Sequence, residues 1–206
     1  METQSAAPTR FSHILVSGPP GIGKTTVCKK LISLIEAKGL TCDGFFTEEV
    51  RSTNNKRIGF DVIPLKHPEQ RLPLARATYY SGSNHLAPTR YHVGKYAVFV
   101  ENFEKSALPV FQTESDVLLL DEVGKMELLS KSFTQEVDRA MLGSGKVSKT
   151  ARCALATIPV VTPAHLLLIK KLRSNSRCKI FEVNVENRDE MPEEVCKTIL
   201  QIIKYK

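Results

Sequence analysis

With 206 residues, of which 42% are hydrophobic and 25% charged, the chain has the length and composition of one globular domain with a sizeable core. No apolar run approaches the roughly 18 residues that a membrane span needs, so the sequence excludes a helical integral membrane protein. The formal net charge is +7, and the excess lies between Arg139 and Lys179, where nine basic residues and no acidic residue occur.

The first ten residues lack the apolar segment that a signal peptide needs. We therefore expect a flexible arm over residues 1–10, a single domain over residues 11–206, and an intracellular, cytoplasmic protein. Five cysteines are widely spaced and form neither a C-x-x-C pair nor a Cys/His pair at zinc spacing, which indicates buried thiols. They are Cys28, Cys42, Cys153, Cys178 and Cys196.

The first diagnostic stretch follows residues 11–17, an apolar segment typical of a short buried strand. It fits the phosphate-binding pattern G-x-x-x-x-G-K-[ST] and consists of Gly18, Pro19, Pro20, Gly21, Ile22, Gly23, Lys24 and Thr25. Gly18 and Gly23 are expected to turn the backbone where a Cβ would clash, so that N–H groups face phosphate oxygens. Lys24 supplies positive charge near the β and γ phosphates, and the Thr25 hydroxyl can ligate Mg²⁺.

Apolar residues at helical spacing follow this loop, with Gly39 as the predicted end of the helix. The loop therefore opens onto a helix N-terminus, whose free N–H groups favour an anion. We predict a nucleotide-binding segment over residues 18–26, which includes Thr26.

Two strands are predicted over residues 44–51 and 57–63, because apolar residues alternate there and residues 52–55 suit a turn. They form a β-hairpin inserted early in the domain. Residues 66–95 contain prolines and glycines that interrupt any regular pattern, and we expect a short strand or turn at residues 72–76 within a lid or substrate-facing flap. A strand at residues 96–100 and a short helix at residues 103–108 follow.

The second diagnostic stretch begins with four consecutive apolar residues, 117–120, which fit a parallel strand buried on both faces. Asp121 and Glu122 follow at its carboxyl end, where α/β folds bind their ligands. In this Walker B pattern, Asp121 would hold Mg²⁺ opposite Thr25, directly or through a water. Glu122 would orient and polarise the water that attacks the γ phosphate.

The remaining pattern predicts a helix through Phe133 and Met141, a flexible connector at residues 143–149 and a buried strand at residues 153–158. Thr157, near the end of that strand, either hydrogen-bonds the γ phosphate or attacking water, or is a core threonine. Thr162 and Pro163 predict the cap and first turn of a helix that runs to residue 172.

A last strand is predicted at residues 179–183 and a C-terminal helix from about residue 192. Arg188, in the loop between them, either stacks on a base or meets phosphate, or is an ordinary surface charge. No single arginine can be selected as the one that stabilises the transition state. The candidates are Arg51, Arg76, Arg173 and Arg188.

Together, these stretches resemble the cancer-related nucleoside-triphosphatase family. The similarity lies in GPPGIGKTT at residues 18–26, GFFTEEVR at 44–51, RIGFDV at 57–62, VGKY at 93–96, ALP at 107–109, DEVGKMEL at 121–128, TIP at 157–159 and ENR at 186–188. The resemblance implies a P-loop fold of the RecA-like kind and Mg²⁺-dependent hydrolysis of several nucleoside triphosphates. It also implies that Lys24, Thr25, Asp121 and Glu122 form the site.

The predicted fold is thus an α/β P-loop NTPase of the RecA-like kind, with a mainly parallel sheet flanked by helices and an inserted β-hairpin. The predicted activity is hydrolysis of ATP, GTP, CTP and UTP to the diphosphate by a monomer without membrane association, with Lys24 and Glu122 catalytic. One alternative is a small-molecule or nucleotide kinase that uses residues 66–95 as a lid. Another is a nucleic-acid-dependent ATPase that uses the basic segment between Arg139 and Lys179.

Overall fold

A computed structural model describes residues 11–79, 88–143, 151–161, 163 and 166–204. This part of the chain contains nine strands: β1 (His13–Gly18), β2 (Cys42–Arg51), β3 (Arg57–Pro64), β4 (Leu72–Ala77), β5 (His92–Val93), β6 (Tyr96–Val98), β7 (Ser115–Asp121), β8 (Ala151–Pro159) and β9 (Cys178–Glu182). Five α-helices accompany them within the same described ranges: α1 (Lys24–Glu36), α2 (Val100–Ala107), α3 (Lys131–Leu142), α4 (Leu167–Ser174) and α5 (Met191–Lys204).

All nine of these strands belong to one sheet, in the order β5-β6-β4-β3-β2-β7-β8-β1-β9. The pairings from β2 through β7, β8 and β1 to β9 are parallel, and we call these five strands the parallel half. The pairings from β2 through β3, β4 and β6 to β5 are antiparallel, and β3 to β6 form the antiparallel half. The predicted α/β fold and the β2–β3 hairpin are confirmed, and β4, β6 and β5 extend that hairpin.

Helices cover both faces of the parallel half, which explains why its strands are apolar on both sides. In β1, the side chains of Ile14 and Val16 pack in the layer formed with α1 and α5. The side chain of Leu15, which points to the other face, packs in the layer that contains α2, α3 and α4. The strand is therefore fixed from both sides immediately before the phosphate-binding loop.

Aromatic rings hold β2 against the helices beside it. The rings of Phe45, Phe103 and Phe133 meet edge to face, with centroid separations of 4.9–5.7 Å. Such pairs contribute about 0.5–1.5 kcal/mol each beyond the area they bury. This packing joins β2, α2 and α3, so the middle of β2 is held beside the carboxyl end of β7.

The approach of β2 to β7 depends on a glycine. Gly44 has a φ of 139°, and an ideal Cβ there would lie 2.0 Å from the carbonyl oxygen of Leu119 in β7. Because no side chain fits this space, glycine is required at this position. The resulting register sets Phe46 opposite Asp121, at the edge where the site forms.

Three predictions about element boundaries are wrong or incomplete. The helix expected to start at Thr162 and Pro163 begins at Leu167. The carbonyl of Pro163 accepts a hydrogen bond from the Leu166 N–H, and Thr162 and residues 164–165 lie outside the described residues. Proline fixes φ near −65°, which suits a turn as well as a first helical turn. The strand expected at residues 96–100 ends at Val98, and α2 begins at Val100 instead of residue 103.

The stretch at residues 72–76, expected within a lid, is strand β4, which pairs with both β3 and β6 inside the sheet. This stretch is therefore not a flap. Residues 80–87, and residues 144–149 of the expected connector, lie outside the described part, as does the arm at residues 1–10. All five cysteine side chains are buried. Among the described residues, no helix is both long and apolar enough to cross a membrane.

Candidate functional site

The phosphate-binding loop connects β1 directly to α1. Gly23, at the N-cap of α1, has a φ of 105°, and Gly21 has a φ of 76°, both in the left-handed region that favours glycine. Gly18 meets a different constraint, because a Cβ there would lie 2.9 Å from the carbonyl oxygen of Val183. The expected steric reason therefore holds for Gly18, whereas Gly23 has open space around it and is required for its backbone dihedral.

The ammonium group of Lys24 lies within the curve of this loop. Its Nζ donates hydrogen bonds to the carbonyl oxygens of Gly18, at 2.9 Å, and Pro19, at 3.3 Å. The side chain is buried, and within the described ranges it forms no salt bridge with a carboxylate. Burial raises the pKa of both Asp121 and Glu122, and the positive charge of Lys24 opposes that rise in each case, so the three groups lie close enough to interact electrostatically.

Asp121 is the last residue of β7 and is only 1% exposed. Its Oδ1 accepts a hydrogen bond of 2.6 Å from the Thr157 hydroxyl of β8, while its Oδ2 is buried and has no hydrogen-bond partner among the described residues. Burial raises the pKa of Asp121, and hydrogen bonding with Thr157 and Thr25 together with the charge of Lys24 opposes that rise. A buried carboxylate oxygen without a partner is costly unless a cation or donor satisfies it.

These contacts fit a divalent cation at Asp121. Carboxylate and hydroxyl oxygens are the ligands that Mg²⁺ takes in such sites. The unpartnered Oδ2 of Asp121, near Thr25, is an oxygen available to ligate such an ion. The residues that would hold the ion, Asp121 and Thr25, are thus the two that the sequence predicted.

The backbone after Asp121 is held by both neighbouring strands. On one side, the Thr47 hydroxyl of β2 donates to the Asp121 carbonyl oxygen at 2.7 Å and accepts from the Glu122 N–H at 3.2 Å. On the other side, the Val123 N–H donates to the carbonyl oxygen of Thr157 at 2.9 Å. The direction in which Glu122 leaves the strand is therefore fixed by three hydrogen bonds.

Glu122 is partly exposed, as a group that must reach a ligand has to be. Burial raises the pKa of its carboxyl group, Lys24 lowers it, and the negative charge of Asp121 raises it. A second acid, Glu127, lies buried next to it in the turn between β7 and α3. Burial, and then the charge of Glu122, raise the pKa of Glu127 to about 8.

Thr157 is fully buried, and its hydroxyl contacts Asp121. Thr157 thus has the buried position of a core threonine, and its contact with the γ phosphate or the attacking water stays a prediction. Its hydroxyl proton restricts Asp121 to one orientation, with Oδ2 left for another partner.

The four arginines predicted as candidates for the transition-state contact lie in different parts of the fold. Arg51 bonds to Glu49 on the part of β2 that pairs with β3, and Arg76 bonds to Asp61 in the antiparallel half. Arg173 instead reaches the site's edge, where its Nη2 donates to the Ser17 hydroxyl at 2.6 Å and the Pro159 carbonyl at 2.9 Å.

Arg188 is exposed in the loop after β9. That loop starts beside the phosphate-binding loop, because the Val183 N–H donates to the Ser17 carbonyl oxygen at 2.8 Å. A contact between Arg188 and a nucleotide stays a prediction.

The described basic residues of the segment, which exclude Lys146 and Lys149, lie on α3, β8, α4 and β9, with Arg177 directly before β9. Arg139 pairs with Glu136, Arg152 with Asp116, and Lys171 with Asp138. Part of the positive charge is thus neutralised locally, and nucleic-acid binding by the segment stays a prediction.

Sequence reasoning missed Thr47 and Glu127 as members of the site. Thr47 carries no local signal, since only the parallel pairing of β2 with β7 brings it to Asp121. Glu127 did offer one: it is an acidic residue between Met126 and Leu128, whose side chains pack on the core. An acid within an apolar turn five residues after Glu122 could have been singled out.

Comparisons with known proteins identify the family of this chain. The NTPase family model matches residues 13–196. A cancer-related nucleoside-triphosphatase homolog of Bos taurus is 38% identical over 191 residues, which is 89% of this chain and 94% of that protein.

Two solved structures are similar over most of their length. The solution structure of a human cancer-related nucleoside triphosphatase has a TM-score of 0.71 at 35% identity and covers 91% of this chain and 96% of its own. The crystal structure of THEP1 from the hyperthermophile Aquifex aeolicus has a TM-score of 0.70 at 30% identity and covers 91% of this chain and 98% of its own. The resemblance seen in the sequence is confirmed, and the chain belongs to the NTPase family.

Proposed function

We propose that this protein hydrolyses nucleoside triphosphates to the diphosphate and inorganic phosphate, with Mg²⁺, by attack of water on the γ phosphorus. The observation that carries the proposal is the arrangement at the carboxyl edge of the parallel half, where Lys24 lies in the loop after β1 and Asp121, with one unpartnered buried oxygen, ends β7 two strands away, followed by Glu122. The names of the relatives, which are nucleoside-triphosphatases, support the same reaction class.

The phosphate chain would bind in the loop between β1 and α1. The first N–H groups of α1, which begins at Lys24, have no partner within the helix and would face the anion, and the helix dipole also favours negative charge there. On binding, the Lys24 ammonium exchanges its carbonyl partners, Gly18 and Pro19, for the β and γ phosphate oxygens. Gly21, Ile22 and Gly23 complete the binding segment.

Asp121 and Thr25 would hold the magnesium ion. When bound, Mg²⁺ supplies positive charge that neutralises the β and γ phosphate oxygens. Thr157 keeps one oxygen of Asp121 occupied, so the other is directed to its ligand.

Glu122 would accept the proton of the attacking water. Its carboxylate follows β7 directly, and Thr47 and Val123 fix the backbone on either side. The water's oxygen forms a bond to the γ phosphorus as the bond to the β–γ bridging oxygen breaks, and the diphosphate leaves with that electron pair. Positioning and charge stabilisation account for most of the rate in such transfers.

The substrates proposed are ATP, GTP, CTP and UTP, bound by a cytoplasmic monomer. In the described structure, Arg173 bonds to Ser17 and Arg51 and Arg76 bond to carboxylates, so none of the three is directed at the phosphates by these contacts. Turnover is therefore expected to be slow unless an arginine is supplied from outside, since such a residue contributes about 10³–10⁵-fold in related reactions.

The experiment is phosphate release from each of the four triphosphates with Mg²⁺ and without any acceptor molecule. The expected result is release from all four by the wild type and loss in Lys24→Ala. If the diphosphate forms only after a nucleoside, nucleotide or other acceptor is added, the protein is a kinase and the proposal is wrong.

The same reaction in ¹⁸O-labelled water identifies the atom attacked. Attack at the γ phosphorus places the label in inorganic phosphate. Label in the nucleoside diphosphate would contradict the proposed mechanism.

A further inference from the structure

Glu127 is a buried acid to which the mechanism above assigns no role. It is 4% exposed and lies in the turn between β7 and α3. Its Oε2 accepts a hydrogen bond of 3.1 Å from the Gly124 N–H, and no salt bridge to a cation is found for it among the described residues. A buried carboxylate is rarely retained without a cation or a purpose.

The turn that carries Glu127 is rigid. The Leu128 N–H donates to the Gly124 carbonyl oxygen at 3.1 Å, and the Ser130 N–H donates to the carbonyl oxygen of Glu127 at 3.1 Å. Ser130 then caps α3 through its hydroxyl, which accepts from the Phe133 N–H at 3.0 Å. The position of Glu127 is thus set by the start of a helix that packs on the core.

The carboxylates of Glu122 and Glu127 converge on one small space. An ideal Cβ on Gly124 would lie 2.9 Å from Oε1 of Glu122 and 3.0 Å from Oε2 of Glu127. Both oxygens therefore approach the same point, and a side chain at residue 124 would displace one or both. The negative charge of Glu122 raises the pKa of Glu127, which agrees with their closeness.

We propose that Glu127 is a positioning residue for Glu122: its buried carboxyl group accepts the Gly124 N–H and fills the space beside Glu122, so that the Glu122 carboxylate is confined to one position at the turn, from which it reaches the attacking water. The inference rests on the proposed hydrolysis, because it concerns the orientation of the group that accepts the proton. Glu127 itself touches neither the nucleotide nor the reacting atoms in this account.

The physical reason lies in the precision that proton transfer requires. A general base has to lie within hydrogen-bond distance of the proton it removes, and small misplacements reduce the rate strongly. Glu122 is tied to the fold through its backbone by Thr47, but the described contacts place no hydrogen-bond donor on its carboxylate. The neighbouring acid limits where that carboxylate can rest.

The test compares Glu127→Gln with Glu127→Leu. Glutamine keeps a carbonyl oxygen that can accept from the Gly124 N–H, whereas leucine has similar size and no acceptor. For Glu127→Leu we expect kcat to fall about tenfold to 100-fold, as for other residues that orient a catalytic group, with the nucleotide Kd and KM within about threefold. Glu127→Gln should restore kcat to within about threefold of the wild type.

A double-variant cycle separates positioning from an independent effect. If Glu127 acts through Glu122, adding Glu127→Leu to Glu122→Gln lowers single-turnover phosphate release no further. Multiplied losses would overturn the proposal, and so would wild-type kcat in Glu127→Leu or an inactive Glu127→Gln.

A second variant keeps the test decisive if Glu127→Leu does not fold, as judged by circular dichroism and thermal unfolding. Gly124→Ala places a methyl group against both carboxylates and leaves Glu127 in the chain. We expect reduced kcat with retained nucleotide binding, and full activity would contradict the inference. Wild-type hydrolysis by Glu122→Gln would instead contradict the proposed function, so the two failures are distinguishable.

Discussion

The two halves of the sheet differ in whether their buried charged side chains have partners of opposite charge. In the antiparallel half, Asp61 is paired with both Arg76, at 2.6 Å, and Arg71, at 2.9 Å. At the carboxyl edge of the parallel half, one oxygen of Asp121 has no partner in the described structure, and Lys24 bonds to backbone carbonyls. Charges that serve the fold are neutralised within the protein, whereas charges that serve a ligand are held in place and left to be neutralised by it.

The largest effect is expected from Lys24→Ala. Loss of the charge that contacts the phosphates should lower kcat/KM for hydrolysis by about 10²–10³-fold, as for removal of a preorganised transition-state donor. Steady-state phosphate release measures this loss. The matched control is Lys38→Ala, an exposed lysine beyond the end of α1, which should retain activity within about threefold because surface substitutions have small effects.

A similar loss of kcat/KM in Lys38→Ala would show that the net charge of the protein, and not the position of Lys24, causes the effect. The thermal stability of Lys24→Ala should change little, because the loss of its hydrogen bonds to Gly18 and Pro19 is offset by relief of the desolvation cost of a buried ammonium group.

The opposite result is expected in the antiparallel half. Asp61→Asn removes the charge partner of Arg76 in a pair whose side chains are only 10% and 12% exposed. Breaking such a pair should lower the free energy of unfolding by about 2–4 kcal/mol, with kcat per folded molecule unchanged. Denaturant titration and active-site normalised kinetics measure the two quantities.

Glu49→Gln is the control for that variant. Glu49 pairs with Arg51 and Arg57, but its side chain is 35% exposed and those of its partners more so. Its loss should cost about 1 kcal/mol or less. Loss of kcat in Asp61→Asn without loss of stability would contradict the distinction between the two halves.

A smaller effect is expected where the site's acid is oriented by a neighbour. Thr157→Val removes the hydroxyl that donates to Asp121 at 2.6 Å, and kcat should fall about tenfold, as for other groups that orient a metal ligand. Thr157→Ser keeps the donor and should retain most of the activity. Equal kcat in the valine and serine variants would show that the hydrogen bond does not matter.

The smallest predicted effect is on the pH dependence of stability in the metal-free protein. Burial and the charge of Glu122 raise the folded-state pKa of Glu127 to about 8, above its unfolded value. The folded state then binds more protons than the unfolded state, so the contribution of Glu127 is fully present at acidic pH and is lost as the pH rises through about 8.

We expect the free energy of unfolding of the wild type to fall by about 1–2 kcal/mol more than that of Glu127→Gln between pH 5 and pH 9. Urea titrations of both proteins across this range measure the difference. Parallel curves would show that Glu127 titrates normally.

The sequence predicted those parts of the molecule that local pattern determines. The phosphate-binding loop has glycines, a lysine and a threonine at fixed spacing, and the strand that ends at Asp121 is a continuous apolar run followed by two acids. Few other local structures have these patterns. The β2–β3 hairpin followed from alternation around a turn. The start of α4 did not follow, because Pro163 suits a turn as well as a helix.

What could not be predicted depends on contacts between distant segments. The hydroxyl of Thr47 joins the site only because β2 pairs with β7, 74 positions away in the chain. Arg173 is likewise placed at Ser17 by the crossover from β8 to β9, a contact across 156 positions. Sequence pattern specifies which residues face a core, whereas partners at this separation follow from the assembled sheet.

The central claim is that Glu122 activates water at an edge already built to bind the triphosphate. The most direct test is to measure nucleotide affinity and single-turnover phosphate release for Glu122→Gln with Mg²⁺. The account predicts a Kd within about threefold of the wild type and release at least about 100-fold slower, since an isosteric amide keeps the binding contacts and cannot accept the proton. Release at the wild-type rate would contradict it.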